Sequence, residues 1–439
     1  MSPEFLGILL LVGLLVAIFA GFPIAFTLII LSFVFGYIGF GGTVFDLMVY
    51  QSLGLMKEET FAAVPLFIFM GHLLERCGLM ERLFRSFQLM LGGLRGSLYL
   101  GVLLTSIIFA TATGIIGASV TVIGIMAAPH MTRSKYDPRL SAGTITAGGC
   151  LGILIPPSVM LVVMGPIVGV SVVKLYAAAI LPGLVLAILY IAFALVKSYI
   201  KPELGPPLPL EQRLVSKWKV LKEFSVGIVP IGVIIFAALG SIVMGLATPT
   251  EAAAMAAVGS IVLAIIFRRL NLDTLKGAVL NTLQTSSMVM FLGVASTIYG
   301  SVLNRLGTST MIAKSMLALP VSPMMMVVVL MVVIFILGWP LEWPAIVFIF
   351  LPILLPVVDA LKIDLLWFTT LVAVNLQTAF LSPPVAMAAY YLKAVAPQWD
   401  LSDIYLGMLD FMVLQMIGLA LLFFVPQMAL WLPTVLFGG

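Results

Sequence analysis

Apolar runs fill almost the whole length of this chain, and they limit the folds that it can adopt. The runs lie at about 4–20, 23–40, 60–74, 97–131, 141–170, 175–196, 226–247, 250–267, 279–303, 324–358, 365–392 and 404–436. Because about 20 apolar residues cross the hydrocarbon core of a bilayer as a helix, this pattern predicts an all-α, polytopic membrane protein. Charged residues make up only 9% of the chain, against about 25% in an average soluble domain, so a soluble globular protein is excluded.

The charged and reactive residues exclude further classes of function. The formal net charge is +4, and no basic tract is long enough to follow a phosphate backbone, so nucleic acid is not an expected partner. The sequence has no GxxxxGK[ST], HExxH or GxSxG motif, which argues against an ATP-driven pump, a zinc protease or a lipase. We therefore expect neither an enzyme nor a bound cofactor. The first apolar run has no basic residues before it and is interpreted as a retained membrane helix.

The two halves of the sequence resemble each other at a nearly constant offset. Pro129 corresponds to Pro356, and Pro156 corresponds to Pro383 at an identical separation along the chain. The segment GHLLERCG from Gly71 matches GSVLNRLG from Gly300 at almost the same separation. Such repeats are frequent in secondary transporters. We predict a first membrane repeat at 1–196, a cytoplasmic linker at 197–224 and a second membrane repeat at 225–439.

The topology follows if two segments in each half are irregular. We expect 97–131 and 324–358 to be re-entrant hairpins, and 141–170 and 365–392 to be broken helices that cross once. Each half then crosses the membrane about five times, so the two copies are inverted. Of the Lys and Arg residues, 17 fall on one side and 5 on the other. The positive-inside rule makes the richer side cytoplasmic and both termini periplasmic. A second crossing by 141–170 would invalidate this assignment.

Four segments at membrane depth carry prolines, glycines and hydroxyl or amide groups, namely 111–121, 148–158, 338–344 and 375–384. Prolines interrupt the hydrogen bonds of a helix. The freed carbonyls can coordinate a cation, and the new helix N-termini attract anions. This arrangement favours a site for sodium and a carboxylate. The alternative is that the prolines only kink packed helices, while the hydroxyls bond back to their own helix.

Two glutamates within apolar runs require separate interpretations. Glu251 belongs to the sequence Thr248-Pro-Thr-Glu251, which is typical of a capping box, and a role in transport is the alternative. Glu342 lies between Trp339 and Trp343 at the predicted turn of the second hairpin. An ionisable residue at that depth is a functional candidate, although an aqueous vestibule could also solvate it. Both interpretations of Glu342 are kept.

Several of these segments resemble one family of transporters. The segments are GGCLGILIPPS at 148–158, AILPG at 179–183, TPTEAA at 248–253 and LSPPV at 381–385. They are similar to motifs of the large membrane subunit of tripartite ATP-independent periplasmic (TRAP) transporters. The resemblance covers nearly the whole chain, and the first motif at this distance from TPTEAA is highly specific.

The resemblance implies a scaffold and a mobile transport domain that works as an elevator. It implies sodium-coupled uptake of an organic anion, of the carboxylate type, across the bacterial inner membrane. The implied partners are the lipid bilayer, a small four-helix membrane subunit encoded as a separate chain, and a periplasmic solute-binding protein that delivers the anion. A stand-alone ion-coupled carboxylate carrier without a binding protein is the first alternative. A membrane assembly subunit that does not transport is the second.

The resemblance also implies two sites for sodium and substrate, one in each half. The first comprises Thr111, Thr113, Gly114, Gly117, Ser119, Gly149, Gly152 and Pro156. The second comprises Gly338, Trp339, Pro340, Glu342, Asn375, Thr378, Ser382 and Pro383. No metal other than sodium is expected, because neither His72 nor His130 has a metal-ligand neighbour at a usable spacing.

Overall fold

The computed structural model describes residues 2–113, 116–208, 217–383 and 385–438, which form helices and no strands. The helices are α1 (Pro3–Phe19), α2 (Ile24–Phe40), α3 (Thr43–Met56), α4 (Ala63–Arg76), α5 (Leu79–Leu91), α6 (Ser97–Thr113), α7 (Ile116–Arg133), α8 (Pro138–Cys150), α9 (Val159–Val168), α10 (Val172–Ile200), α11 (Lys217–Val243), α12 (Pro249–Ile266), α13 (Leu272–Arg305), α14 (Thr308–Leu317), α15 (Pro323–Leu337), α16 (Trp343–Ala360), α17 (Leu365–Leu381), α18 (Met387–Val395), α19 (Leu401–Phe424) and α20 (Gln427–Phe437). The all-helical prediction is confirmed.

Within the described residues, six helices are long and apolar enough to cross a membrane. A seventh candidate is the pair formed by Glu59–Arg76 and Leu79–Leu91, which is bent by 62°. Other apolar helices, such as Val159–Val168 and Leu365–Leu381, have only 10–17 residues. They are short because the chain breaks where the prolines and glycines stand, so length alone identifies fewer spans than the apolar runs do.

The backbone conformation also recurs in the two halves, at the same sequence separation as the paired prolines. Lys135 and Lys362, which have the same separation in sequence as the paired prolines, have positive φ angles of 57° and 52°. Two residues later, Asp137 and Asp364 begin α8 and α17, and each side chain accepts a hydrogen bond of 2.8 Å from a backbone N–H three residues on. Two different stretches of chain thus make the same turn into the same kind of cap, which supports an internal duplication.

The bent pairs of the two halves also correspond. Gly78 begins α5 with φ +68°, and Gly307 begins α14 with φ +79°. These glycines end the matched segments GHLLERCG and GSVLNRLG. Left-handed backbone strongly favours glycine, so the matched glycines provide the same bend after α4 and after α13.

The helices that carry the breaks pack into one group. Hairpin 1 (α6 and α7) contacts α8, and hairpin 2 (α15 and α16) contacts α17 through α15. Helix α19 packs against both α8 and α17. At the crossing of α8 and α19, a Cβ added to Gly407 would lie 1.9 Å from the carbonyl oxygen of Arg139. These two helices therefore touch through their backbones, which fixes the position of the first break.

The linker forms contacts at both of its described ends. Helix α10 extends to Ile200, and the Leu208 N–H donates to the carbonyl of Gly92. Helix α11 begins at Lys217, so the last residues of the predicted linker 197–224 are helical. The described linker thus rests on the turn between α5 and α6 instead of running free.

Candidate functional site

The first break lies between α8 and α9. A 3-10 turn over Leu151–Ile153 follows α8, and Pro156 and Pro157 precede α9. The Ser158 hydroxyl donates to the carbonyl of Ile153 at 2.5 Å and accepts from the Leu161 N–H at 3.4 Å. Because two prolines supply no N–H donors, Ser158 closes the gap and caps the new helix.

Hairpin 1 meets this break through small residues. A Cβ at Gly149 would lie 2.4 Å from Val120 Cγ2 and 3.1 Å from the Val120 backbone nitrogen. Ser119, Gly149, Gly152 and Pro156 are all buried in this region. Gly114 lies outside the described residues, and the side chains of Thr111 and Thr113 are not described. The structure thus brings α7 and α8 together at the predicted first site.

The second break lies between α17 and α18, and side-chain hydrogen bonds join it to hairpin 2. Asn375 Nδ2 donates to the carbonyl oxygen of Met331 on α15 at 2.7 Å. Thr378 Oγ1 donates to the Asn375 carbonyl at 2.5 Å. Trp339 Nε1 donates to Ser382 Oγ at 3.0 Å. Asn375 thus holds the hairpin against the broken helix, and Trp339 joins the turn to the break itself.

The turn of hairpin 2 also packs closely on α17. A Cβ at Gly338 would lie 2.5 Å from Ala379 Cβ. Gly338, Trp339, Pro340 and Glu342 line one small cavity with Ala379 and Phe380. Pro383 lies in the break, after Ser382. Within the described chain no group of three or more His, Cys, Asp or Glu side chains could hold a metal, so a cation here would need carbonyl and hydroxyl oxygens.

A cavity of about 190 Å³ lies where the two hairpins meet. We call it the central cavity. Its lining residues come from both hairpins, from both broken helices and from α4 and α13, and they are Ile68, Ile116, Gly117, Val159, Thr285, Met288, Val289, Glu342, Trp343, Pro344, Phe380 and Tyr391. Both hairpins contribute to it, hairpin 1 through Ile116 and Gly117 and hairpin 2 through Glu342, Trp343 and Pro344, and it is therefore our candidate solute site.

Glu342 brings the carboxylate to this cavity. It is the N-cap residue of α16, with φ −73° and ψ 158°, but its side chain does not cap the helix. It makes no ion pair with any described residue. Tyr391 lies within electrostatic range of it, and the Tyr391 ring covers Gly117, where an added Cβ would come within 3.0 Å. The carboxylate thus lines the central cavity between the hairpins.

The sequence did not reveal Tyr391, Phe380 or Thr285 as lining residues. Phe380 and Tyr391 belong to the broken helix but have apolar or aromatic side chains like those of its core, and Thr285 lies in a helix without a break. Glu251, in contrast, is where its motif placed it. The Glu251 N–H donates to Thr248 Oγ1 at 3.2 Å, and the Thr248 N–H donates to Glu251 Oε2 at 2.8 Å. The capping box is confirmed, and this carboxylate accepts its hydrogen bond at the start of its own helix.

A buried polar network behind the second break was also missed. Gln415 Nε2 on α19 donates to Gln377 Oε1 at 2.7 Å and to the Val374 carbonyl at 3.1 Å. The Tyr190 hydroxyl on α10 donates to Gln415 Oε1. Buried amides need such partners, so the network fixes α17 against α10 and α19.

Known proteins of one family match this chain over nearly its whole length. The family model described as "Tripartite ATP-independent periplasmic transporter, DctM component" matches residues 11–428. The sialic acid TRAP transporter large permease protein SiaM of Vibrio cholerae is 29% identical over 428 residues, covering 97% of this chain and 98% of that protein. The C4-dicarboxylate TRAP transporter large permease protein DctM of Pseudomonas aeruginosa is 30% identical, covering 86% and 87%.

One solved structure shares the fold. The YdaH transporter of Alcanivorax borkumensis superimposes with a TM-score of 0.63 over 87% of each chain. The sequence identity is 14%, so this likeness concerns the arrangement of the helices alone. It supports the polytopic helical architecture independently of the sequence motifs.

Proposed function

We propose that this chain couples the uptake of an organic anion to sodium. The chain belongs to the DctM family of tripartite ATP-independent periplasmic transporters, because that family's model matches residues 11–428. It is a multi-pass protein of the inner membrane and a transporter component, not an enzyme. TRAP large permeases work with a small membrane subunit and a periplasmic binding protein. The coupling ion would be sodium, the solute an organic anion and the movement that of an elevator.

The central cavity carries the proposal. It lies between the two hairpins, where the broken helices end and begin, and its lining includes a carboxylate and a hydroxyl group. Val159 in its wall is the first residue of α9. The N-terminus of a helix attracts an anion, and carbonyls freed at the breaks suit sodium. An anionic solute and its coupling ions would then sit side by side.

The walls of the cavity support an elevator movement. One wall belongs to the helices that carry the breaks, and the other consists of Ile68 on α4 and of Thr285, Met288 and Val289 on α13. Helices α4 and α13 pack against each other and against α12 and α2 respectively. We infer that they are the stationary scaffold. The solute would lie on the sliding surface between scaffold and transport domain.

The remaining features of the proposal concern delivery and orientation. The small subunit would have four helices, and the binding protein would deliver the anion from the periplasm. Both termini would face the periplasm, since the side that holds 17 of the 22 Lys and Arg residues faces the cytoplasm. A stand-alone carrier is the alternative, and it differs by transporting without a binding protein.

Sodium binding is tested by thermal unfolding of the purified chain in NaCl and in KCl at equal ionic strength. A ligand at a hundred times its Kd stabilises the folded state by about 2.7 kcal/mol. Thr378→Val should abolish the sodium-dependent rise in Tm. Thr370→Val is the matched control, because Thr370 lies on the same helix and bonds only to the Leu366 carbonyl, at 2.7 Å. Identical curves in both salts would contradict sodium coupling.

Delivery is tested in proteoliposomes that contain the chain and its small subunit. Uptake should need both a sodium gradient and the binding protein. Uptake of a free carboxylate without binding protein would favour the stand-alone carrier. Uptake with binding protein but without sodium would leave the transporter assignment intact and refute only its coupling ion.

A further inference from the structure

The central cavity has a composition that is unusual for a site that takes only an anion. Its sole charged lining residue within the described chain is Glu342, and no Lys or Arg lines it there. The sequence ATATGI at 110–115 contains no Lys or Arg either. A simple carboxylate or dicarboxylate would meet a like charge with no cationic side chain of the described cavity beside it. Like charges at close range repel, so only the proposed sodium ions would offset them.

Three aromatic side chains share the cavity with that carboxylate, namely Trp343, Phe380 and Tyr391. Trp343 and Phe380 are each 9% exposed, so both rings are nearly excluded from the surroundings. The faces of aromatic rings attract alkylammonium groups, and a desolvated contact of this kind is worth about 2 kcal/mol. A carboxylate among aromatic rings is the chemistry that recognises a substituted or protonated amine.

Glu342 is free to take this role. It makes no ion pair with a described residue, and its own helix does not use its side chain as a cap. The side chain of the other membrane glutamate, Glu251, is hydrogen-bonded in its capping box. An unpaired carboxylate beside aromatic rings in low dielectric is costly unless a cation joins it.

We propose that the solute is amphoteric, with a carboxylate and an alkylated or protonated nitrogen, and that Glu342 with Trp343, Phe380 and Tyr391 binds the nitrogen. This proposal rests on the proposed transport function, since it specifies the solute class of the same cavity. The carboxylate of the solute lies toward the start of α9. Glu342 is the specificity-determining residue, because it selects zwitterions over plain acids.

The experiment uses pairs of probes that differ only in the charged nitrogen. Glycine betaine is paired with 3,3-dimethylbutanoate, in which carbon replaces the nitrogen, and proline is paired with cyclopentanecarboxylate. A panel of other small zwitterions, each with its carbon analogue, completes the set. Thermal unfolding of the full chain, purified with its small subunit in NaCl, reports binding and gives Kd by titration.

We expect at least one zwitterion to bind with a Kd at least about tenfold lower than that of its carbon analogue, because a desolvated contact of about 2 kcal/mol between a cation and an aromatic face corresponds to about thirtyfold in Kd. Glu342→Gln should remove this difference. Asp359→Asn, an exposed carboxylate on the same helix, should preserve it. Equal binding within every pair, tighter binding of the carbon analogues, or no binding by any zwitterion overturns the proposal.

The same melts separate this inference from the transport function. If sodium stabilises the chain while plain carboxylates bind as well as zwitterions, the amphoteric assignment fails alone. If sodium has no effect and no solute of either kind binds, the proposed function fails with it. A Glu342→Gln variant that elutes as a single species in size exclusion and unfolds in KCl at the Tm of the wild type is folded, so a lost preference is then not a folding defect.

Discussion

The crossing of α8 and α19 gives the sharpest mechanical prediction. In the substitution Gly407→Ala, the new methyl group would lie 1.9 Å from the Arg139 carbonyl oxygen and 3.1 Å from the Gly143 backbone nitrogen. An ordinary van der Waals contact needs at least about 3.4 Å, so the helices must separate by roughly 1.5 Å. Both obstructing atoms belong to the backbone, and no change of rotamer can relieve the clash.

The cost can be estimated from this geometry. Overpacking a close-packed interior costs about 1–3 kcal/mol, occasionally more, and a clash with backbone belongs at the upper end. With an unfolding entropy of about 2.1 cal/mol/K per residue, 3 kcal/mol lowers the Tm of this chain by about 3 °C. Gly143 precedes Gly149 by six residues, or about 9 Å of helix, so the displacement of α8 reaches the first break.

The assay is thermal unfolding in detergent, with and without sodium. We expect Gly407→Ala to lower Tm by about 3 °C or more and to reduce the sodium-dependent rise. Gly240→Ala is the matched control, since a Cβ there meets nothing within 4 Å and alanine favours a helix by up to about 1 kcal/mol. If Gly407→Ala unfolds like Gly240→Ala, the close contact of these helices does not exist as described.

Two further substitutions test the polar contacts of the second half. Gln415→Leu leaves the Gln377 side-chain oxygen and the Tyr190 hydroxyl without their partner, which should cost about 2–4 kcal/mol; a Tm equal to that of the wild type would show that the network contributes nothing. Trp339→Phe removes the Nε1 donor to Ser382 and also one ring of the indole. It should weaken sodium stabilisation and lower the free energy of unfolding in KCl by about 1 kcal/mol for the hydrogen bond, in addition to the lost ring contacts. An unchanged response to sodium would contradict a role for this contact.

Local signals in the sequence were sufficient for the apolar helices and for the places where they break. They did not predict α3, α5 and α14, which lie outside the apolar runs. Prolines such as Pro156 and Pro383 act through their own backbone, so their effect needs no knowledge of distant residues. Glu251 could be interpreted for the same reason, because a capping box closes within three residues. The candidate position of Glu342 followed from an ionisable group within an apolar run.

The lining of the central cavity could not be predicted in the same way. Tyr391 and Thr285 are ordinary members of apolar helices, and only the packing of two distant helices brings them to Glu342. Asn375 was expected among the groups for sodium and substrate. The structure shows that its Nδ2 holds the Met331 carbonyl, a contact between two separate helices that no local pattern encodes.

The two halves hold their hairpins by different chemistry at equivalent positions. Gly148 and Asn375 occupy matching places on the two broken helices, at the same sequence separation as Pro156 and Pro383. A Cβ at Gly148 would lie 2.5 Å from Ser106 Oγ, on the first arm of hairpin 1, whereas the Asn375 side chain reaches the first arm of hairpin 2 at Met331. At this position the first hairpin is held by the close approach of a side chain to a glycine, and the second by a side-chain hydrogen bond.

This difference has a consequence for how the halves tolerate change. Close approach depends on the absence of side-chain atoms, so any larger residue at Gly148 or Gly149 must push hairpin 1 away. The second hairpin depends on a polar group, so removal of the Asn375 amide leaves a buried carbonyl without its donor. Since both hairpins border the central cavity, the duplicated backbone places equivalent elements there, while the side chains that hold them differ.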